Sequence, residues 1–220
     1  MIDIAADFLD AGIGVELGWI EAELVVAPSD TALARSLDAA VATAAAQFGD
    51  LRPQDLPAVA ATRTAYKALG KDPARYRPAA EALLRRVAQG KKLYRVNNVV
   101  DVNNLLSLES GFSIGTYDAA KLTPPVAFRR GRPGEVYEGI GRGVLNLEGL
   151  PVLAAAAGPF GSPTSDSVPS MIVSTTTRIV MVIIGFRPAV VRAALLARAQ
   201  ALLAAHCRGR VLSAQLVAAG

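Results

Sequence analysis

Asn97-Asn98-Val99-Val100-Asp101-Val102-Asn103-Asn104 divides this chain into two parts of different pattern. Before it, apolar residues recur at helical spacing; after it, short β-like runs alternate with Gly and Pro. Helices first and strands second predict an α+β fold. The octapeptide itself is chemically odd. Asn competes with the backbone for hydrogen bonds and is a poor helix-interior residue. Four of them between Asn97 and Glu109, a segment that reads as a short helix or helix-like turn, predict caps, turns or the polar wall of a pocket.

Upstream, Pro78 opens a helix whose buried stripe is Ala80, Leu83, Leu84 and Val87, with Arg85 and Arg86 flanking it and Gly90 as its stop. Leu56 to Leu69 predicts another, with Val59, Thr62, Tyr66 and Leu69 inward, Arg63 and Lys67 on a more exposed face, and Gly70 at its end. Before that, Ser29 or Asp30 caps a helix with Leu33, Leu37, Val41, Ala44 and Phe48 inward and Gly49 as terminator. Gly14 to Val25, ended by Pro28 and Ser29, predicts one or two strands.

Downstream, β-like runs fall around Val126 to Arg129, Val136 to Tyr137, Pro151 to Ala157, Met171 to Thr175 and Ile179 to Ile184. They predict a mostly antiparallel sheet or small sandwich. Pro188 is expected to open a final Ala/Leu-rich helix carrying Arg192 and Arg198, and the apolar segment after Gly209 is expected to return to the sheet.

The 220 residues are 52% hydrophobic and 19% charged, the composition of a folded protein, read here as one unit over 1–220. No stretch of eighteen residues stays apolar without a charge or a Pro/Gly break, which argues against a spanning helix. Asp3, Asp7 and Asp10 stand where a secretory signal needs cations, and the single Cys207 has no internal disulfide partner. Together these predict a cytoplasmic location without membrane association.

The net charge of +4 is unevenly spread. From Arg63 to Arg95 ten cations face only Asp72 and Glu81, whereas residues 1–62 hold ten carboxylates against Arg35 and Arg52. A basic segment of this density attracts a phosphate backbone, although solvated helix faces produce the same run.

One histidine leaves little room for a His-centred zinc site or a Ser-His-Asp apparatus. His206 near a helix end is expected to satisfy terminal carbonyls, and Cys207 to be a buried, inert thiol. Gly139-Ile140-Gly141-Arg142-Gly143 lacks dinucleotide-binding spacing and reads as a turn. The Gly158 to Ser167 stretch reads either as a linker or as a loop that presents N–H groups to an oxyanion. Asp101, Glu109, Asp118 and Glu135 are the candidate carboxylates.

Arg63-Thr64-Ala65-Tyr66-Lys67-Ala68-Leu69-Gly70-Lys71-Asp72-Pro73-Ala74-Arg75-Tyr76-Arg77-Pro78, continuing through Glu81 to Arg86, forms one distinctive block. The Asn97 to Asn104 octapeptide, followed by Gly111, Tyr117-Asp118, Arg129 and Gly134-Glu135, forms a second. Together, most clearly over 63–188, they resemble the B3/B4 domain, the tRNA-editing module of the phenylalanyl-tRNA synthetase beta subunit, which also occurs free-standing. The resemblance implies an α+β fold with a three-layer, sandwich-like core. It also implies hydrolysis of the ester between a wrong amino acid and tRNA, without metal or cofactor, with the aminoacylated 3′ end of tRNA as partner.

In such an esterase Asn97, Asn103 and Asn104 are expected to supply hydrogen bonds, and Asp101 or Asp118 to orient water or a donor, while Asn97, Asp101 and Asn104 read equally as turn and capping residues. Gly158, Gly161 and Ser162 form an oxyanion loop, and Arg63, Lys67, Arg75, Arg77, Arg85 and Arg86 hold the phosphate backbone. The chain departs from the synthetase pattern at Asn103, where that form has Thr, at Gly115, where it has His, and at Val182, where it has a pocket Glu. These departures leave a second reading open, a non-catalytic module that binds RNA or an amino acid.

Overall fold

The computed structural model describes residues 2–48 and 51–219. Its central sheet is antiparallel throughout, in the order β10 (Arg210–Ala219), β2 (Val15–Glu23), β9 (Arg178–Phe186), β3 (Ser113–Asp118). β9 is apolar at every position from Ile179 to Ile184 because both of its faces are covered. Ile179, Met181 and Ile183 pack toward the helices, and Val180, Val182 and Ile184 toward a second sheet. Each such aliphatic side chain, fully buried, stabilises by roughly 1.5–3 kcal/mol.

The second sheet runs β1 (Ile2–Ile4), β4 (Val126–Arg130), β7 (Pro151–Ala155), β8 (Gly158–Gly161), with only the β1–β4 pair parallel. Phe8, from the four-residue α1 (Asp7–Asp10), stacks on Phe128 with ring centroids 4.9 Å apart and closes one end of the inter-sheet core. A separate hairpin pairs β5 (Val136–Gly139) with β6 (Gly143–Asn146).

The other face of the central sheet is covered by α2 (Thr31–Gln47), α4 (Ala79–Ala88), α5 (Asn98–Ser110) and α6 (Ala193–Cys207). α3 (Pro57–Ala68) serves both cores, giving Ala58 and Val59 to the helical side and Ala61 and Ala65 to the inter-sheet side. Helices, sheet and sheet make the three layers expected of this α+β chain. Among the described residues no helix is long and apolar enough to cross a membrane.

Local chemistry explains most element ends. Asp30 caps α2 by accepting from the Leu33 N–H at 2.7 Å, while Gly49, its expected terminator, lies outside the described residues. Gly70 and Gly90 adopt the left-handed conformation after α3 and α4, where L side chains are strained. Pro78 stands one residue before α4 as its N-cap.

Three expectations need correction. Pro188 does not open the last helix, which begins at Ala193; buried Val191 instead seats over Gly18 and Gly185, which holds the preceding segment against the sheet. Met171 to Thr175 forms no strand. Gly158 to Gly161 is neither linker nor loop but the edge strand β8.

Candidate functional site

α5 and β3 are joined by Gly111 in the left-handed conformation, so strand follows helix directly and the two lie side by side. The Asn103 side chain bridges them. Its Nδ2 donates to the Ile114 carbonyl at 2.9 Å and its Oδ1 accepts from Thr116 Oγ1 at 2.9 Å. These two bonds fix which way the amide points, and one of its two N–H donors has no protein partner among the described residues.

Beside this clamp lies a cavity of about 240 Å³. Asn97, Asn103, Thr116 and Asp166 are its polar lining; Val96, Val100, Ile140, Met171 and Ile172 are its apolar walls. Val96, Ile140 and Met171 are also exposed at the molecular surface. An apolar rim around a few convergent polar groups is the usual form of a ligand site. A larger cavity, about 480 Å³ between Pro57, Phe112, Pro188 and Leu195, has Arg192 as its one ionisable wall and gathers no comparable chemistry.

Asp166 is the group with the most unusual environment. Tyr117 donates to its Oδ1 at 2.6 Å. Burial pushes its carboxyl up to about 7 from an ordinary 3.8, and the Tyr117 hydroxyl and the Thr116 backbone oppose that rise. Burial also lifts the Tyr117 phenol well above its usual value, so it remains a neutral donor. Carboxyls displaced to near neutrality in a cleft mark candidate sites.

The turn bearing Asp166 is stapled by tyrosines from distant parts of the chain. Tyr137 donates to the Ser165 carbonyl at 2.6 Å. Tyr66 pairs with Thr164 Oγ1 at 2.8 Å, and that hydroxyl in turn donates to the Tyr76 carbonyl. The Asp166 carbonyl accepts from the Ile140 N–H, which brings the β5–β6 turn, itself as expected, to the cavity rim. The site is therefore built before any ligand arrives.

The sequence-derived residues divide. Asn97 and Asn103 line the cavity, although Asn97 also caps α5 through Val100 N–H at 2.9 Å. Asn104, one position further along the helix, does not line it. Asp101 is fully buried and accepts from Ser29 Oγ at 2.7 Å. Asp118 binds the Ala120 N–H and Thr176 Oγ1. Both carboxylates therefore have tethering roles away from the cavity. Glu135 is taken by a bidentate Arg129 at 2.8 and 2.7 Å, and Glu109 by Arg198.

The Gly158, Gly161 and Ser162 group does not converge on the Asp166 cavity. Gly158 lines a different cavity of about 180 Å³, the Ser162 N–H donates to the Ser165 carbonyl, and Gly161 packs against Tyr117. The Ser162 amide is thus occupied within its own turn, and Gly158 and Gly161 are ends of β8.

The basic residues are also unequal. Glu81 on α4 is completely buried, ion-paired to Arg63 at 2.9 Å, Arg85 at 3.3 Å and Arg77 at 3.7 Å. Lys71 and Arg75 lie over the Tyr76 ring, and Arg86 over Tyr94. Lys67 stays exposed. One carboxylate among three guanidiniums leaves the cluster positive. His206 Nδ1 meets the Asp30 carboxylate at 2.9 Å and not the helix-end carbonyls expected of it, while Cys207 is buried as expected and burial raises its thiol to about 12.

Asp166 and Thr116 were not among the expected site residues. One signal was present for Asp166: it is the only Asp or Glu after Glu148.

Residues 61–203 match the family model described as the B3/4 domain. Among solved structures, an N-terminal fragment of the phenylalanyl-tRNA synthetase beta-subunit from Pyrococcus horikoshii is similar at 12% identity and a TM-score of 0.48, over 96% of this chain and 50% of that one. The chain thus spans about half the length of that fragment. No curated protein matches the chain.

Proposed function

The chain belongs to the B3/4 domain family, and from that premise we propose that it hydrolyses the ester of mischarged aminoacyl-tRNA in trans, with Asp166 as the general base. The observation that carries this reading is the Asp166 carboxyl itself, held by Tyr117 on the cavity wall with a pKa near the operating pH, where a general base is most effective.

In this mechanism the aminoacyl side chain occupies the apolar part of the cavity, between Val100, Ile140 and Ile172. The ionised Asp166 takes a proton from water while the water oxygen bonds to the ester carbonyl carbon. The carbonyl oxygen gains the displaced electron pair and is met by the free N–H of Asn103. When the intermediate collapses, the bond to the ribose oxygen breaks, and that oxygen recovers the proton from Asp166. The products are a free amino acid and an uncharged 3′ end. An ester asks less of an enzyme than an amide, and positioning with one oxyanion donor lowers the barrier without an imidazole.

A second reading has its own support. Val182, at the position of the family's pocket glutamate, is buried between the sheets, and Gly115, at the position of its histidine, lies under the Tyr117 hydroxyl. A module that binds RNA or an amino acid without hydrolysis would have this composition.

The test is release of amino acid from a panel of correctly and incorrectly charged tRNAs, against spontaneous ester loss and against Asp166→Asn. Release from a mischarged pair, abolished in the variant, supports the hydrolase. No release across the panel, with salt-sensitive tRNA binding intact, supports the binding module.

A further inference from the structure

We propose that Tyr94 is a stacking platform for a nucleobase, seating the terminal nucleotide of a single-stranded RNA end at the mouth of the Asp166 cavity. The inference rests on reading that cavity as facing an ester on an RNA end.

Tyr94 is 75% exposed, more than any other aromatic residue among the described ones. Local disorder does not account for this exposure, because its segment is pinned on both sides. Leu93 packs into the helical core, Arg86 Nε donates to the Lys92 carbonyl at 2.7 Å, Arg95 pairs with Asp38 and the Ala34 carbonyl, and Asn98 N–H donates to the Ala27 carbonyl. Between these anchors the phenol ring is held out into solvent.

One face of the ring is covered by the Arg86 guanidinium, 4.6 Å from its centroid. That arrangement leaves the opposite face as a flat apolar surface beside a positive charge. Lys91 and Lys92, both exposed and with no ion-pair partner among the described residues, continue the charge along the segment. An aromatic face flanked by cations is the recurring device for single strands, where the ring stacks a base and the cations meet the phosphates. An acidic protein partner would use the cations but has no need of the open ring face.

Position ties the platform to the cavity. Val96 and Asn97, two and three residues after Tyr94, are themselves cavity wall, and two residues of chain span at most about 7 Å. A nucleotide stacked on Tyr94 therefore lies within reach of the cavity rim.

The experiment is fluorescence-anisotropy titration of the full chain with a dye-labelled, uncharged single-stranded RNA oligonucleotide, comparing the parent with Tyr94→Ala and Tyr94→Trp. Tyr94→Ala is expected to weaken binding about ten-fold or more, and Tyr94→Trp to retain it, because stacking requires an aromatic face and no specific polar group. A blunt duplex of the same length should compete poorly. Equal affinity of the parent and Tyr94→Ala, equal loss in both variants, full competition by the duplex, or no RNA binding by the parent would each overturn the proposal. The probe carries no ester, so the result is independent of hydrolysis. An intact Tyr94 effect with no deacylation sinks the hydrolase and leaves the platform; deacylation indifferent to Tyr94 does the reverse.

Discussion

Tyr117 and Asp166 are 49 positions apart in sequence and share a 2.6 Å hydrogen bond that joins the edge of the central sheet to the turn after β8. The phenol that makes this bond also fills the space above Gly115 and Gly161, where any Cβ would collide with its hydroxyl. One contact thus tempers the rise that burial imposes on the carboxyl and dictates two glycines.

The pH dependence of ester hydrolysis should follow Asp166. Turnover is expected to rise with pH, reach half its plateau near 7 and flatten above, because the ionised form is the base. Asp166→Asn should cost about 10²–10⁴ in kcat. Tyr117→Phe removes a bond that favours the ionised carboxylate, so its profile should move to higher pH. A steady-state rate profile of the three proteins checks all of this.

Stability should run the opposite way with pH. Asp166 binds its proton more tightly when folded, so its contribution is fully present below about 4, is lost as pH rises toward 7, and is constant above. Urea midpoints across this range should fall more steeply for the parent than for Asp166→Asn. Parallel curves would place the carboxyl in an ordinary environment.

Gly115→Ala tests the steric half of the relationship. The new methyl displaces the Tyr117 phenol and comes within 2.9 Å of Asp166 Oδ1. A loss of about 1–3 kcal/mol in chemical denaturation is expected, together with an altered rate profile. Gly115→His, which returns the family's residue, should be at least as disruptive unless Tyr117 is also replaced.

Glu81→Gln should be among the most damaging single changes on the helical side. It leaves Arg63, Arg77 and Arg85 without their shared carboxylate; because those guanidiniums reach solvent, the cost is that of lost charge-assisted hydrogen bonds, about 1.5–3 kcal/mol. Arg85→Gln alone should cost far less, since Arg63 remains paired. Thermal unfolding of the two variants separates these outcomes.

Neighbouring amides should separate cleanly. Asn103→Ala removes both the α5–β3 bridge and the oxyanion donor, so it should lower kcat strongly with a smaller effect on KM. Asn104→Ala should leave turnover near the parent's. Equal loss in both would move the site to the other face of α5.

Helix ends were legible because their causes are local: Asp30 three residues from the N–H it caps, Gly70 and Gly90 where the chain must turn left-handed. The unbroken apolar run of β9 from Ile179 to Ile184 was equally plain, since both of its faces are covered. β8 was hidden because Gly158-Pro159-Phe160-Gly161 carries turn residues, and only its pairing with β7 makes it a strand. The amide-rich octapeptide correctly marked a pocket wall at Asn97 and Asn103. Asp166 escaped because its environment is assembled from Tyr117, 49 residues away, and its turn is held by Tyr66, 98 residues from Thr164. No local pattern encodes such distances.

The order of the central sheet governs how the chain reaches this state. β2 lies between β9 and β10. Glu21 meets Arg178, 157 residues later, and Glu23 meets Arg210, 187 residues later. During synthesis β2 emerges long before either of its partners and then waits, with both edges unsatisfied, until β9 and β10 have left the ribosome. Closing loops of that size before any reward of pairing makes folding slow. It also leaves Val15, Leu17, Trp19 and Ile20 exposed on a bare strand, the form in which nascent chains aggregate or recruit chaperones.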